Sequence, residues 1–387
     1  MDWLAPFRAR AVAPPEVKDS RAARLVALTS AGRPVWSPRD YESLAREGFG
    51  SNPVAYRCTR LVAEAAASVP LVVLEAGQRV EAGHPLQRLV DQPNPEQGRA
   101  DLMEAFFGAL QVAGNAYLEA AGGADGEAVE ELYALRPERV RVVPGARGWP
   151  EAYEYEVGGR TARIAREADG FLPVLHLKLF NPLDDHYGFS PLEAAAFAVD
   201  VHNASGAWNK ALLDNSARPS GALVYDGSDR MTGEQFEGLK TELAAGYAGA
   251  ARAGRPMLLE GGLDWKPMSL SPAEMDFIEG KHAAAREIAL AFGVPAQLLG
   301  IPGDNTYSNY KEANAAFWRQ TVVPLAERAS RALSGWLGQR FAGCEIRCDF
   351  DAVPALAAER EALWARLEGA SFLTEAERRR MAGLGDG

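Results

Sequence analysis

Apolar and polar positions change their period several times along the 387-residue chain. Over the first fifty residues Pro, Arg and Gly are scattered with little periodicity, which predicts an extended arm carrying a short helix at 38–47. From Pro53 to Ala67 the positions Val54, Cys58, Leu61, Val62 and Ala65 recur at helical spacing, and Pro70 to Leu74 reads as a strand that turns at Gly77. A second helix is expected from about Ala100 to Ala113. Gly114 stops it, and Asn115-Ala-Tyr-Leu118 opens another strand. Apolar clusters at 131–135, 139–143, 152–157 and 174–179, separated by Gly and Pro turns, make the first half of the chain a mixture of helix and sheet.

At Ser190 the pattern changes. Ser190-Pro191-Leu192-Glu193 combines a serine N-cap, proline at the first helical position and glutamate three residues after the cap. Phe197, Val201, Ala204, Trp208 and Leu212 then mark the apolar face of one helix to about Ala217, roughly 40 Å long at 1.5 Å per residue. Ser271-Pro-Ala-Glu274 repeats the start, and Met275, Ile278, His282, Ala285, Ile288, Ala289 and Phe292 mark a second long helix that ends at Gly293 before Pro295. Between them lie a strand (221–225), a helix (233–248, opened by the Thr232 to Gln235 box) and strands at 256–260 and 263–268. Gly300 to Asn309 reads as a polar loop. A third long helix follows from about Tyr310 to Phe341, with Phe317, Leu325, Leu333 and Trp336 on one side and Pro324 expected to kink it. Thr374-Glu-Ala-Glu377 is a further capping box, followed by Arg378, Arg379 and Arg380.

Composition narrows the function. Hydrophobic residues are 47% and charged residues 24%, ordinary globular proportions, and no apolar run reaches the roughly 18 residues of a membrane span, so no membrane partner is expected. Three cysteines give no disulfide framework; Cys344 and Cys348, if on one strand, stand roughly 13 Å apart, too far to bridge. The start Met1-Asp2-Trp3 has no secretory apolar core. Acidic residues outnumber basic ones 52 to 41, a formal charge of −11, opposite to the footprint of a protein that grips a phosphate backbone.

Catalytic motifs are sparse. There is no phosphate-binding G-x-x-x-x-G-K-[ST] loop, no G-x-S-x-G elbow, no H-E-x-x-H and no paired C-x-x-C, so no cofactor and no enzymatic activity are expected. Asp184-Asp185-His186 is the one cluster that invites a metal-dependent hydrolase or nuclease reading, although neighbours on an extended chain point to opposite faces. His84, His176, His202 and His282 show no ligand spacing and read as structural.

Several short motifs stand in a fixed order: Asn52-Pro53 with Tyr56-Arg57-Cys58, His84-Pro85-Leu86, Pro93-Asn94-Pro95, Gly114-Asn115-Ala116-Tyr117, Leu135-Arg136-Pro137 and Val174-Leu175-His176. Gly188-Phe189-Ser190-Pro191-Leu192, Phe292-Gly293-Val294-Pro295 with Leu298-Leu299-Gly300, and Thr306-Tyr307-Ser308-Asn309 continue the series. Each is weak alone. In this order, over roughly residues 50–340, the chain resembles the portal proteins of tailed bacteriophages and gene transfer agents, in the Hong Kong 97-like branch.

The resemblance implies an α+β portal fold: an N-terminal arm (1–50), an α/β wing (51–189 and 310–354), two stem helices (190–217 and 272–294), a small α/β clip between them (218–271), a tunnel loop (295–309) and a short helical crown (355–387). It implies a homo-oligomeric ring, usually of twelve subunits, at one capsid vertex of a virion assembled in the bacterial cytoplasm. Double-stranded DNA would pass through it, with the major capsid protein, the terminase large subunit and a head–tail adaptor as partners. By position, Asn305, Thr306, Tyr307, Ser308 and Asn309 would meet DNA in the channel, as would Lys281 and Arg286 on the second stem helix. Lys240, Arg252 and Arg255 would belong to the clip surface that receives motor or adaptor, and Arg378, Arg379 and Arg380 to the crown. A ring-forming tail or baseplate adaptor shares this assembly physics but predicts no tip domain between two long helices.

Overall fold

The computed structural model describes residues 40–122, 128–214, 221–225, 232–235, 237–238, 241, 263–267, 277–302 and 307–382. The arm's expected helix is present as one turn, Tyr41–Ser43, capped by the Asp40 carboxylate, which runs into a π-helical segment Leu44–Gly50. Helix α1 (Pro53–Ser68) follows, with Asn52 as its N-cap. Strand β1 (Leu71–Glu75), β2 (Gln78–Arg79), helix α2 (Pro85–Asp91) and helix α3 (Arg99–Ala113) come next. Gly114 ends α3 at φ 70°, as its position in the sequence predicts. Helix α2 and β2 were not expected; both are short, and α2 lacks a full apolar period.

Strands β3 (Asn115–Gly122), β4 (Val129–Leu135), β5 (Val140–Pro144), β6 (Pro150–Val157), β7 (Arg160–Ala165) and β8 (Val174–Lys178) form two antiparallel three-stranded sheets, ordered β4-β3-β8 and β5-β6-β7. Of these six strands, only β7 has no counterpart in the sequence reading. It is exposed along almost its whole length, so it carries no apolar alternation to betray it. Beyond the helices, β9 (Gly221–Tyr225) pairs antiparallel with β10 (Leu263–Pro267), and β11 (Cys344–Cys348) pairs with β1 in a sheet ordered β11-β1-β2. Cys344 and Cys348 do share one strand, and both are free thiols.

The core is helical. Helices α1 and α3 bury Cys58, Val62, Ala66, Phe106, Phe107 and Leu110 in one cluster. The same cluster takes in α4 (Ala196–Asp214), α5 (Phe277–Ala291) and the long segment made of α6 (Tyr307–Phe317), a π turn Trp318–Val322 and α7 (Val323–Leu337). Pro324 lies at the start of α7, directly after that π turn, where the ladder has already been interrupted and its missing N–H costs least. A second cluster of Tyr117, Leu135, Val140, Val142, Tyr153 and Val174 joins the two three-stranded sheets. Helices α8 (Ala357–Glu368) and α9 (Glu375–Met381) close the chain, α9 opened by the expected Thr374–Glu377 box.

Two expectations change. The helix from Ser190 breaks after its first turn, Pro191–Ala194; Ala195 sits at ψ −1°, and α4 begins at Ala196. That first turn is pinned by its own anchors, the Ser190 Oγ cap on Glu193 N–H and Leu192 in the core. The second change concerns which face of α4 is covered. Leu192, Ala195, Ala196, Ala198, Val199 and His202 are buried, whereas Phe197 is 58% and Trp208 44% exposed. Small residues permit close approach to the neighbouring elements, so the face chosen for packing inside the chain is the alanine-rich one and the larger side chains turn outward. The strand expected at 256–260, the Ser271 cap and most of the helix expected at 233–248 lie outside the described residues; Thr232 and Gln235 do make the reciprocal box.

Candidate functional site

The short motifs prove to be joints between distant parts of the chain. Asn115 is the clearest. Its Oδ1 accepts from the Gly188 N–H (2.8 Å) and from His176 Nε2 (3.0 Å), and its Nδ2 donates to the Ala113 carbonyl (2.8 Å). Gly114 and Gly188 approach so closely that a Cβ on Gly188 would lie 2.1 Å from the Gly114 carbonyl oxygen, while Leu179 N–H donates to that same oxygen (2.8 Å). The end of α3, the end of β8 and the start of the helix at Ser190 are thus locked at one point. His176 stacks on Tyr117 at 4.2 Å, and burial, aided by the Lys178 and His186 charges, pushes its pKa down to about 3, so it works as a neutral donor.

Asn52 does the same at the start of α1. Its Oδ1 caps Val54 and Ala55, and its Nδ2 donates to His202 Nδ1 (3.1 Å) and Asn203 Oδ1 (2.9 Å) on α4. Asn94 bonds the Leu132 carbonyl (3.0 Å), and Thr321 Oγ1 donates to the Gly293 carbonyl (2.7 Å), fixing the turn after α5 where Gly293 has φ 64°. His84 Nδ1 caps Leu86 (3.2 Å). The structural reading of His84, His176 and His202 therefore holds. Order of motifs was visible in the sequence; their meeting in space was not.

Asp184, Asp185 and His186 do not converge. Asp184 Oδ1 accepts the backbone N–H groups of His186 (2.7 Å) and Tyr187 (3.0 Å), and these bonds, the one from Tyr187 first, hold its carboxyl below the usual range. Among the described residues no group of three or more His, Cys, Asp or Glu is placed to hold a metal. The metal-dependent hydrolase expectation is corrected accordingly: the first aspartate is occupied in shaping its own loop.

The channel candidates are scattered. Lys281 and Arg286 both lie on α5, Lys281 half-buried and Arg286 exposed with its Nη2 donating to the Pro302 carbonyl (2.6 Å). Tyr307, Ser308 and Asn309 already belong to α6, three residues inside the expected loop, and Asn309 is exposed; Asn305 and Thr306 lie outside the described residues, as do Lys240, Arg252 and Arg255. Arg378, Arg379 and Arg380 occupy the last turn of α9, where cations favour the helix dipole. No helix among the described residues is long and apolar enough to cross a membrane.

A helical core flanked by small antiparallel sheets, with two helices enclosing a strand pair between them in sequence and a long interrupted helix after, is the fold class of tailed-phage portal proteins. The phage portal protein family matches residues 53–383, and the chain belongs to it, in its Hong Kong 97-like branch. It is 41% identical over 351 residues to an uncharacterized protein of Rickettsia bellii (strain RML369-C), covering 87% of this chain and 88% of that one. To the portal protein of Enterobacteria phage HK97 it is 24% identical over 291 residues, 73% of this chain and 66% of that one. Among solved structures it is similar to a chain from the neck of an empty gene transfer agent (GTA) particle computed with C6 symmetry, at TM-score 0.71 and 54% identity over 92% of this chain and 96% of that one. A chain from the neck of a native GTA particle computed with C12 symmetry matches at TM-score 0.69 and 53% identity, over 92% and 97%. The family is in general structural, not enzymatic.

Proposed function

We infer that copies of this chain close into a ring at one vertex of a phage or gene transfer agent particle, and that double-stranded DNA is packaged and released through it. The observation that carries the reading is the apolar stripe that α4 turns outward, Phe197 at 58% and Trp208 at 44% exposure with Ala204 between them in sequence, which one chain covers only in part. A stripe with a helical period is more than scattered surface apolarity, and adjacent copies in a closed ring supply its cover. The ring symmetry of the GTA particle necks supports the same arrangement.

In this reading residues 190–217 and 272–294 are the stem, 218–271 the clip, 295–309 the tunnel loop and 355–387 a short crown. Asn305 to Asn309 offer DNA hydrogen-bonding groups without fixed charge, and Lys281 and Arg286 are the stem cations nearest to it. Lys240, Arg252 and Arg255 face a terminase motor or head–tail adaptor, the wing contacts the major capsid protein, and Arg378 to Arg380 lie toward the packaged DNA. Negative-stain images of the purified protein are expected to show rings with a central hole; a monomer at every concentration would overturn the reading.

A further inference from the structure

Four edge strands of the small sheets, β11, β4, β5 and β8, are sealed by the chain's own groups. On β11, Ile346 N–H donates to Ser334 Oγ (3.0 Å). On β4, Leu132 N–H donates to the Pro93 carbonyl (2.7 Å) and its carbonyl accepts from Asn94. On β5, Val142 N–H donates to the Tyr187 hydroxyl (3.0 Å), and on β8 the Lys178 carbonyl accepts from Arg328. Strand β7 differs. Gly158 and Gly159 have φ 58° and 76°, a two-residue turn of the kind that makes Val157 and Arg160 a hydrogen-bonded pair. The N–H and C=O groups of Thr161, Arg163 and Ala165 then point away from β6, and none of the described residues bonds to them. Glu154, opposite Arg163, is taken by Arg141, so Arg163 stands at this open edge without a carboxylate partner, while Arg160, three residues away on the strand, belongs to the opposite face of the sheet.

The other flank of the same sheet is built in the opposite sense. The loop 179–189 is anchored at the β5 edge through Tyr187 and spends its inner polar groups on its own backbone: Asn181 Oδ1 accepts Leu183 N–H (3.0 Å), Asp184 caps two amides, and Lys178 holds the Asp185 carbonyl. Turned outward on this fixed loop are Phe180 at 82% exposure, Leu183 at 93%, and the Asp185 carboxylate. This apolar, acidic loop is thus tied through Tyr187 to the β5 edge of a three-stranded sheet, whose other edge, the open β7, lies two strand spacings from β5, roughly 10 Å.

We propose that the Phe180–Asp185 loop of one copy docks on the β7 edge of the next, with Asp185 against Arg163. Loop and receiving edge lie at different places on the chain, so the contact is head-to-tail and repeats around a ring. An exposed, unpaired arginine on an edge repels a second copy of that edge and accepts an acidic loop, which sets the direction of docking. The proposal rests on the ring reading above.

The test is a charge swap. Asp185→Arg and Arg163→Asp, each alone, are expected to raise the concentration for half-assembly at least tenfold in sedimentation at low salt, and the double variant to recover most of that loss. A second measurement uses the pair Leu183→Cys with Thr161→Cys, which under oxidation is expected to give a covalent ladder absent from either single variant. If the wild type forms rings and the single variants assemble equally well, or the double is no better than the singles, or no ladder appears, this contact is overturned and the ring reading stands. If the wild type never assembles, both fall.

Discussion

The carboxamide of Asn115 serves two N–H donors with its oxygen and, with its nitrogen, the Ala113 carbonyl and more distantly that of Gly188. Asn115→Ala leaves the Gly188 amide and His176 Nε2 buried without their acceptor, and each such group costs about 1–3 kcal/mol. The variant is expected to lose about 2–4 kcal/mol in urea unfolding; an unchanged midpoint would show that water replaces the side chain without cost. From the sequence, Gly114-Asn115 was legible as a helix stop followed by a strand, because both signals are local. Its partner Gly188 lies 73 residues away, and nothing in either segment announces the other. The same holds for Asn52 and His202, separated by 150 residues.

Helix α4 is where element and chain disagree about what is inside. Its period of large apolar residues is what the sequence predicts, yet the chain packs the alanine face and leaves Phe197 and Trp208 outward. Hydrophobic periodicity identifies a face that will be covered; it does not say by which molecule. Phe197→Ser together with Trp208→Ser is therefore expected to keep the subunit's helicity and change its unfolding free energy by less than about 1 kcal/mol, since neither side chain is in the core. Rings should become scarce in negative stain. A large loss of subunit stability, or undiminished rings, would place the stripe inside the chain after all. Strand β7 makes the complementary point: an edge strand exposed on both sides has no alternation to read, and only its pairing with β6 reveals it.

For the whole molecule the acidic balance sets how DNA is met. A net charge of −11 per chain, repeated around a ring, offers few of the Lys and Arg phosphate contacts that make binding tight and salt-dependent. Linear duplex binding by assembled rings is expected to change by less than about tenfold between 50 and 200 mM salt, against the 10³ to 10⁵ of a protein making many phosphate contacts. A steep salt slope in filter binding would mean that the channel grips what passes through it. The charge first argued against nucleic acid; for a passage it argues only against holding. By itself the sequence determined most of the longer elements, many of their caps and stops, the family and the sign of the field, because periodicity, turn chemistry and net charge are local or additive. Tertiary structure alone decided which glycines touch, which face of α4 stays outside and which sheet edge stays open. Those depend on contacts between segments that include pairs 150 residues and more apart, and chain order does not encode their distances.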